Sequence, residues 1–336
     1  MKLSIGIVGL PNVGKSTLFK AITKNDVLIA NYPFATIDPN VGVIPVPDER
    51  LKKLADLSNS KKVIPAVVEF YDIAGLVKGA NKGEGLGNHF LSHIRDTNAI
   101  VMVLRCFKSD EIIHVENSVD PLRDLEIINT ELALKDLETI EKVWKKAEGE
   151  AKIGNKNAEK DLEALKQAKA ALEAGNLLIG ERYALIRTNV RISELNLLTT
   201  KKQIYLLNGK PEDVSEELKK KIADLGGSYL VADLSVEPDL GELIKKAYES
   251  LGLISFFTTG EDETRAWTIA RGIKAPQAAG VIHTDFEKKF IRAEVIGWDK
   301  LLEAGGWSKA KPKGWLRLEG KEYVVQDGDV IEVRHG

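Results

Sequence analysis

The chain has 336 residues, 43% hydrophobic and 29% charged, with a formal net charge of -2. That is enough apolar material for a core spread over two or three domains, and the near-neutral charge excludes binding of nucleic acid through bulk electrostatics, leaving only local basic patches. With the single cysteine Cys106 no internal disulfide forms, and no apolar run approaches the roughly 20 residues of a membrane helix, so a soluble cytoplasmic protein without membrane contact is expected.

The N-terminal apolar run stops at Pro11 and passes into a glycine-rich motif, so it reads as a strand and not as a signal peptide. Leu3 to Val8 is then a buried parallel strand and Lys15 to Thr23 the following helix; Asn31 to Gly42 is a loop. Val63 to Ile73 reads as the next strand, followed by a glycine-rich loop, a helix through about His93 and an apolar strand from Ala99 to Leu104. Strands alternating with helices imply crossover units, hence an α/β fold with a mostly parallel sheet. From about Leu122 apolar residues recur at three- and four-residue steps, break between Gly149 and Asn157, and resume to Gly175, as in an antiparallel helical hairpin. Strands at Gln203 to Leu207 and Ser228 to Val231, with helices from Ser215 and Leu240, complete the first sheet and make the hairpin an insertion. From Phe256 short strands are expected at Thr268 to Ile273, Arg292 to Ile296, Tyr323 to Val325 and Val330 to Val333.

Gly9-Leu-Pro-Asn-Val-Gly14-Lys15-Ser16 satisfies G-x-x-x-x-G-K-[ST] between a strand and a helix. Glycines let backbone N–H groups turn inward around an anion, and the helix N-terminus adds positive potential. Asn12, Val13, Gly14, Lys15, Ser16 and Thr17 are therefore candidate nucleotide-binding residues, Lys15 also acting on the β- and γ-phosphates and Ser16 on Mg2+. Asp72-Ile-Ala-Gly75 closes an apolar strand further on; Asp72 is a candidate metal residue, and the Gly75 N–H can reach a γ-phosphate. Thr36 is the candidate third metal residue.

Guanine readers of this class carry Asn-Lys-x-Asp at a strand end. Here Asn208 and Gly209 are candidate nucleotide contacts, but Pro211 stands where the Asp would be, and proline cannot accept from guanine. That favours adenine, with Glu212 as the residue that would restore guanine reading. His89 and His93 lie four apart, but Phe90 follows His89, so the H-E-x-x-H pattern is absent and core or surface histidines are the better reading. Lys309, Lys311, Lys313 and Arg317 interleave with Trp307 and Trp315, as an RNA contact or as a solvated loop over two core tryptophans.

The strings Gly9 to Thr17, Asn31 to Thr36, Asp72 to Gly79 and Gly83 to Phe90 resemble the Obg-like P-loop GTPase-fold proteins. Arg105-Cys-Phe107, Ile112 to Val115, Asn129 to Leu134, Arg265 to Thr268, and Ala275 to Gly280 through Phe286 narrow the resemblance to the YchF branch, the ribosome-binding ATPases. It implies a G domain over 1–121 and 200–253, an inserted helical arm over 122–199 and a C-terminal β-grasp TGS domain over 254–336. It also implies slow Mg2+-dependent hydrolysis of ATP in preference to GTP, and ribosome binding with rRNA contact through the arm and the TGS domain. The alternative is a nucleotide-gated switch without significant turnover, using GTP or both nucleotides. Pro211 departs from the family's usual Asn-x-x-Glu. Leu76 replaces the water-orienting Gln of Ras-like enzymes; the resemblance offers His114 in that role, alongside a capping or solvent-exposed histidine. Asn12 resembles the asparagine of potassium-activated relatives, which makes K+ a second candidate cofactor, though Asn also occurs there without K+ dependence.

Overall fold

The computed structural model describes residues 3–24, 41–72, 94–109, 118–153, 155–236 and 239–336. Its first sheet has the order β2-β4-β1-β5-β6-β7, built from β1 (Leu3–Val8), β2 (Val41–Pro45), β4 (Val67–Asp72), β5 (Ala99–Arg105), β6 (Lys202–Asn208) and β7 (Ser228–Ala232). Only β2 runs antiparallel; the others pair parallel, with Ile7 opposite Asp72 and Arg105 opposite Asn208. Every residue of β5 is buried, as expected of a strand covered on both faces. The cover comes from α1 (Lys15–Lys24), from the start of α3 (Pro121–Lys152), and from α5 (Glu216–Asp224) and α6 (Leu240–Leu251), which contribute Leu18, Leu125, Leu218 and Leu243 to the core. Phosphate-motif and Asp72 thus lie at the C-terminal ends of adjacent parallel strands, where α/β sheets bind ligands.

The hairpin consists of α3 and α4 (Lys156–Glu173), with a core of its own that includes Ile140, Ala147, Leu165 and Leu172. The first helix runs three residues past Gly149, where a break was expected. A lone glycine weakens a helix by only about 1 kcal/mol, and the seam of buried side chains continues through Ala147. Beyond the hairpin the arm is fixed by buried Asp136 of α3, which accepts from Leu198 N and Thr199 N, both at 2.8 Å, and from Thr199 Oγ1 at 2.7 Å.

The run from Val63 to Ile73 is not one strand. Pro65 supplies no ladder N–H, and the run divides there: β3 (Lys62–Ile64) joins a second sheet, while Val67–Asp72 belongs to the first; Ile73 lies outside the described residues. The second sheet has the order β11-β10-β12-β8-β9-β3, with β8 (Leu253–Thr259), β9 (Glu263–Ala270), β10 (Phe290–Gly297), β11 (Arg317–Glu319) and β12 (Asp329–His335). β12 and β8 pair parallel in its middle. One core joins Phe256, Ile269, Phe290 and Val295 with α7 (Ala275–Ile282). Another joins Phe257, Ile296 and Val330 with α2 (Glu49–Ser58) and α8 (Trp298–Ala304). β9 ends three residues before the expected Ile273, ahead of the turn at Gly272, whose φ is +90°. In place of a strand at Tyr323 to Val325 there is a single bridge between Lys274 and Val324. Among the described residues no helix is long and apolar enough to cross a membrane.

Candidate nucleotide site

The phosphate loop leaves β1 through Gly9, where a Cβ would stand 2.6 Å from the Val103 carbonyl oxygen, and turns at Asn12 with φ +62°, a left-handed value asparagine tolerates. Gly14 has φ +111°, and a Cβ there would meet Asn208 Nδ2 at 2.5 Å, so the second motif glycine is required by both conformation and space. Lys15 is buried at the mouth of α1, and its Nζ donates to the Leu10 carbonyl at 2.6 Å. Burial lowers the Lys15 ammonium from 10.5 to about 8, opposed by the charge of Asp72. The loop thus holds its lysine curled back and partly stripped of water, with Ser16 and Thr17 exposed on the first turn of α1.

Asn208 comes from the end of β6. Its Nδ2 donates to the Val13 carbonyl at 2.9 Å and its Oδ1 accepts from Leu234 N at 3.1 Å, so both ends of the buried amide tie the loop to the turn after β7. Sequence inspection does not find Leu234, because a backbone N–H leaves no trace in residue type. Gly209 N donates to the Ala232 carbonyl at 3.1 Å. Pro211 opens an exposed single turn, Pro211–Asp213, fixed by Asp213 Oδ2 accepting from Lys210 N at 2.9 Å.

Asp72, at the end of β4, and the Ser16 hydroxyl, exposed on the first turn of α1, are hard oxygen donors of the kind Mg2+ takes. Among the described residues no group of three His, Cys, Asp or Glu side chains could hold a metal ion. Thr36, Gly75, Leu76, His89, His93 and His114 lie outside the described residues. At the far end of the chain Trp307 and Trp315 pack against the core of Leu301 and Val330, and Lys313 and Lys300 stand 4.5 and 4.7 Å from the Trp315 ring centroid.

A strand–glycine loop–helix with a buried lysine, a neighbouring strand-end aspartate and an asparagine clamp from a third strand define a P-loop nucleotide-binding protein of the GTPase fold. Residues 4–143 match the family model described as 50S ribosome-binding GTPase, and residues 253–336 match the YchF GTPase C-terminal model, described as a protein of unknown function. The ribosome-binding ATPase YchF of Bacillus subtilis is 46% identical over 99% of each chain, and that of Escherichia coli O157:H7 is 45% identical over 98% of each. The YchF GTPase structure from Schizosaccharomyces pombe superimposes with a TM-score of 0.80 at 40% identity, covering 99% of this chain and 98% of that one. The chain belongs to the YchF family. The names of its relatives differ on the base, ATPase for the bacterial proteins and GTPase for the yeast structure.

Proposed function

We propose that this protein is a cytoplasmic, Mg2+-dependent ATPase of low intrinsic rate that prefers ATP to GTP and associates with the ribosome. The observation that carries the base preference is Pro211, set in a fixed turn three residues after the loop clamp Asn208, where a guanine reader would need a carboxylate. Ribosome association rests on the names of the bacterial relatives and on the match to the 50S ribosome-binding GTPase model.

Lys15 and the backbone N–H groups of residues 12–17 would bind the phosphates, and Ser16 and Asp72, with Thr36, would hold Mg2+. The ion, when bound, neutralises charge developing on the phosphate oxygens. Gly75 and His114 are the proposed contacts to the γ-phosphate and the attacking water, and Asn12 the proposed K+ contact. The arm and the C-terminal unit are the proposed rRNA contacts, with Lys309, Lys311 and Lys313 as the solvent-facing cations. The second reading, a switch that turns over only incidentally and takes GTP or both nucleotides, draws on Leu76, which has no group to orient water.

Multiple-turnover phosphate release with and without ribosomes separates the two. Stimulation by ribosomes supports the ATPase, and a rate that stays at background with ribosomes favours the switch. Competition of ATP against GTP on the purified protein tests the base, and a tenfold preference for GTP overturns the ATP assignment.

A further inference from the structure

The C-terminal sheet is not completed by C-terminal residues. One of its two outer strands is β3, with Lys62 opposite Glu263, Val63 opposite Thr264 and Ile64 opposite Arg265. The C-terminal family model begins at residue 253 and leaves out both this strand and α2. Yet Leu51 and Leu54 of α2 share one buried core with Phe257, Ile296 and Val330. Hydroxyls line the seam: Ser60 Oγ donates to the Gly260 carbonyl at 2.6 Å and meets Thr264 Oγ1 at 2.7 Å, and Thr259 Oγ1 donates to Ser58 Oγ at 2.8 Å.

Arg50 fastens the other end. Its Nε and Nη2 donate to Asp48 at 2.8 and 2.7 Å, its Nη1 donates to Asp327 Oδ2 at 2.8 Å, and its guanidinium lies 5.1 Å from the Phe257 ring centroid. Asp48 caps α2, and Asp327 also accepts from Ser255 N at 3.0 Å, so one planar fork joins the start of α2 to β8 and to the turn before β12. Burial opposes the Arg50 charge, and the two carboxylates outweigh it and raise its pKa. The excursion closes at its base with Val46 N donating to the Ala66 carbonyl at 2.8 Å. From Ile64 the chain then has at most about 26 Å of extended backbone to Asp72 at the candidate site.

We infer that α2 and β3 are a coupling element, with Arg50 as its positioning residue, through which nucleotide occupancy of the P-loop site and the state of the C-terminal sheet set each other. The inference rests on the reading of that site as a nucleotide site. Linkage makes the effect reciprocal: whatever binds the C-terminal sheet in one state changes nucleotide affinity by the same factor.

Hydrogen exchange of the full chain, with and without Mg2+ and a slowly hydrolysed ATP analogue, tests it. Nucleotide is expected to slow exchange in residues 253–270 on the order of fivefold, besides slowing residues 3–24. In Arg50→Lys, which keeps the charge and loses the fork, and in Asp327→Asn, which keeps the shape, the slowing at 253–270 shrinks while that at 3–24 stays. A bridge of merely structural value would speed exchange equally in both nucleotide states, and an unchanged ratio in the variants overturns the role of Arg50. A wild-type C-terminal sheet indifferent to nucleotide, beside a protected P-loop, overturns the coupling. If residues 3–24 also ignore nucleotide, the nucleotide reading falls first and the coupling with it.

Discussion

Asn208 Nδ2 donates to the Val13 carbonyl at 2.9 Å, joining the end of the fifth strand of the first sheet to the middle of the phosphate loop. The same side chain accepts from Leu234 N, so the loop, β6 and the turn after β7 are held by one buried amide. Removing it leaves a buried carbonyl and a buried N–H without partners, a cost of about 1–3 kcal/mol. Asn208→Ala is expected to weaken nucleotide binding about tenfold by titration. Asn208→Asp keeps the acceptor for Leu234 and loses the donor to Val13. It should therefore bind nucleotide about as weakly as the alanine variant if the Val13 bond is what orders the loop.

Lys15 gives a prediction in pH. Its folded-state pKa of about 8 lies below the ordinary 10.5, because burial disfavours the charge more than Asp72 restores it. Between those values the unfolded chain holds more protons than the folded one. This group therefore makes the ligand-free protein more stable as pH rises from about 8 to 10.5. A bound triphosphate restores the charge, so binding above pH 8 must take up a proton. Calorimetric titration in buffers of different ionisation enthalpy should show almost no proton uptake at pH 7 and nearly one proton per nucleotide at about pH 9.

The phosphate loop was legible because its chemistry demands residue types at fixed spacing: Gly14 for a left-handed turn under Asn208, Lys15 for charge, Ser16 for a hydroxyl. The buried strands were legible because both faces are covered, which makes Ala99 to Leu104 a continuous apolar run. What stayed hidden depends on partners distant in sequence. Val63 and Phe70 belong to one apolar run, and only the partner strands decide that β3 leaves for the second sheet while β4 stays in the first. Arg50 and Asp327 look like two ordinary surface charges until the fold brings them to 2.8 Å. Leu234 acts through its backbone, to which a motif is blind.

Asp136 sits in the apolar stripe of α3, fully buried, and all its hydrogen-bond partners are donors: Leu198 N, Thr199 N and Thr199 Oγ1, with Arg95 Nη2 at 3.7 Å. Asparagine has the right shape and the wrong hydrogens, since its NH2 group would face donors. Asp136→Asn should therefore destabilise the protein nearly as much as Asp136→Ala, each by about 3 kcal/mol in urea unfolding. An asparagine variant as stable as the parent would show that shape, and not the carboxylate, holds the arm to the first sheet.

Pro211 is the position through which base preference can be moved. It begins the Pro211–Asp213 turn, is solvent-exposed, and follows the clamp Asn208–Gly209 at the spacing a guanine-reading aspartate would occupy. The turn is fixed from behind by the Asp213 carboxylate on Lys210 N, so a new side chain at 211 should not unravel it. A carboxylate there would accept from guanine N1 and N2, and charge-assisted bonds of that kind contribute about 1.5–3 kcal/mol each. Pro211→Asp is accordingly expected to raise the GTP-to-ATP affinity ratio by at least about tenfold in competition titrations. Pro211→Ala, which removes the ring and adds no acceptor, should leave the ratio nearly unchanged. If both variants shift equally, the ring itself rejects guanine by its bulk. If neither shifts, the base is read elsewhere, and Glu212 becomes the residue to replace next.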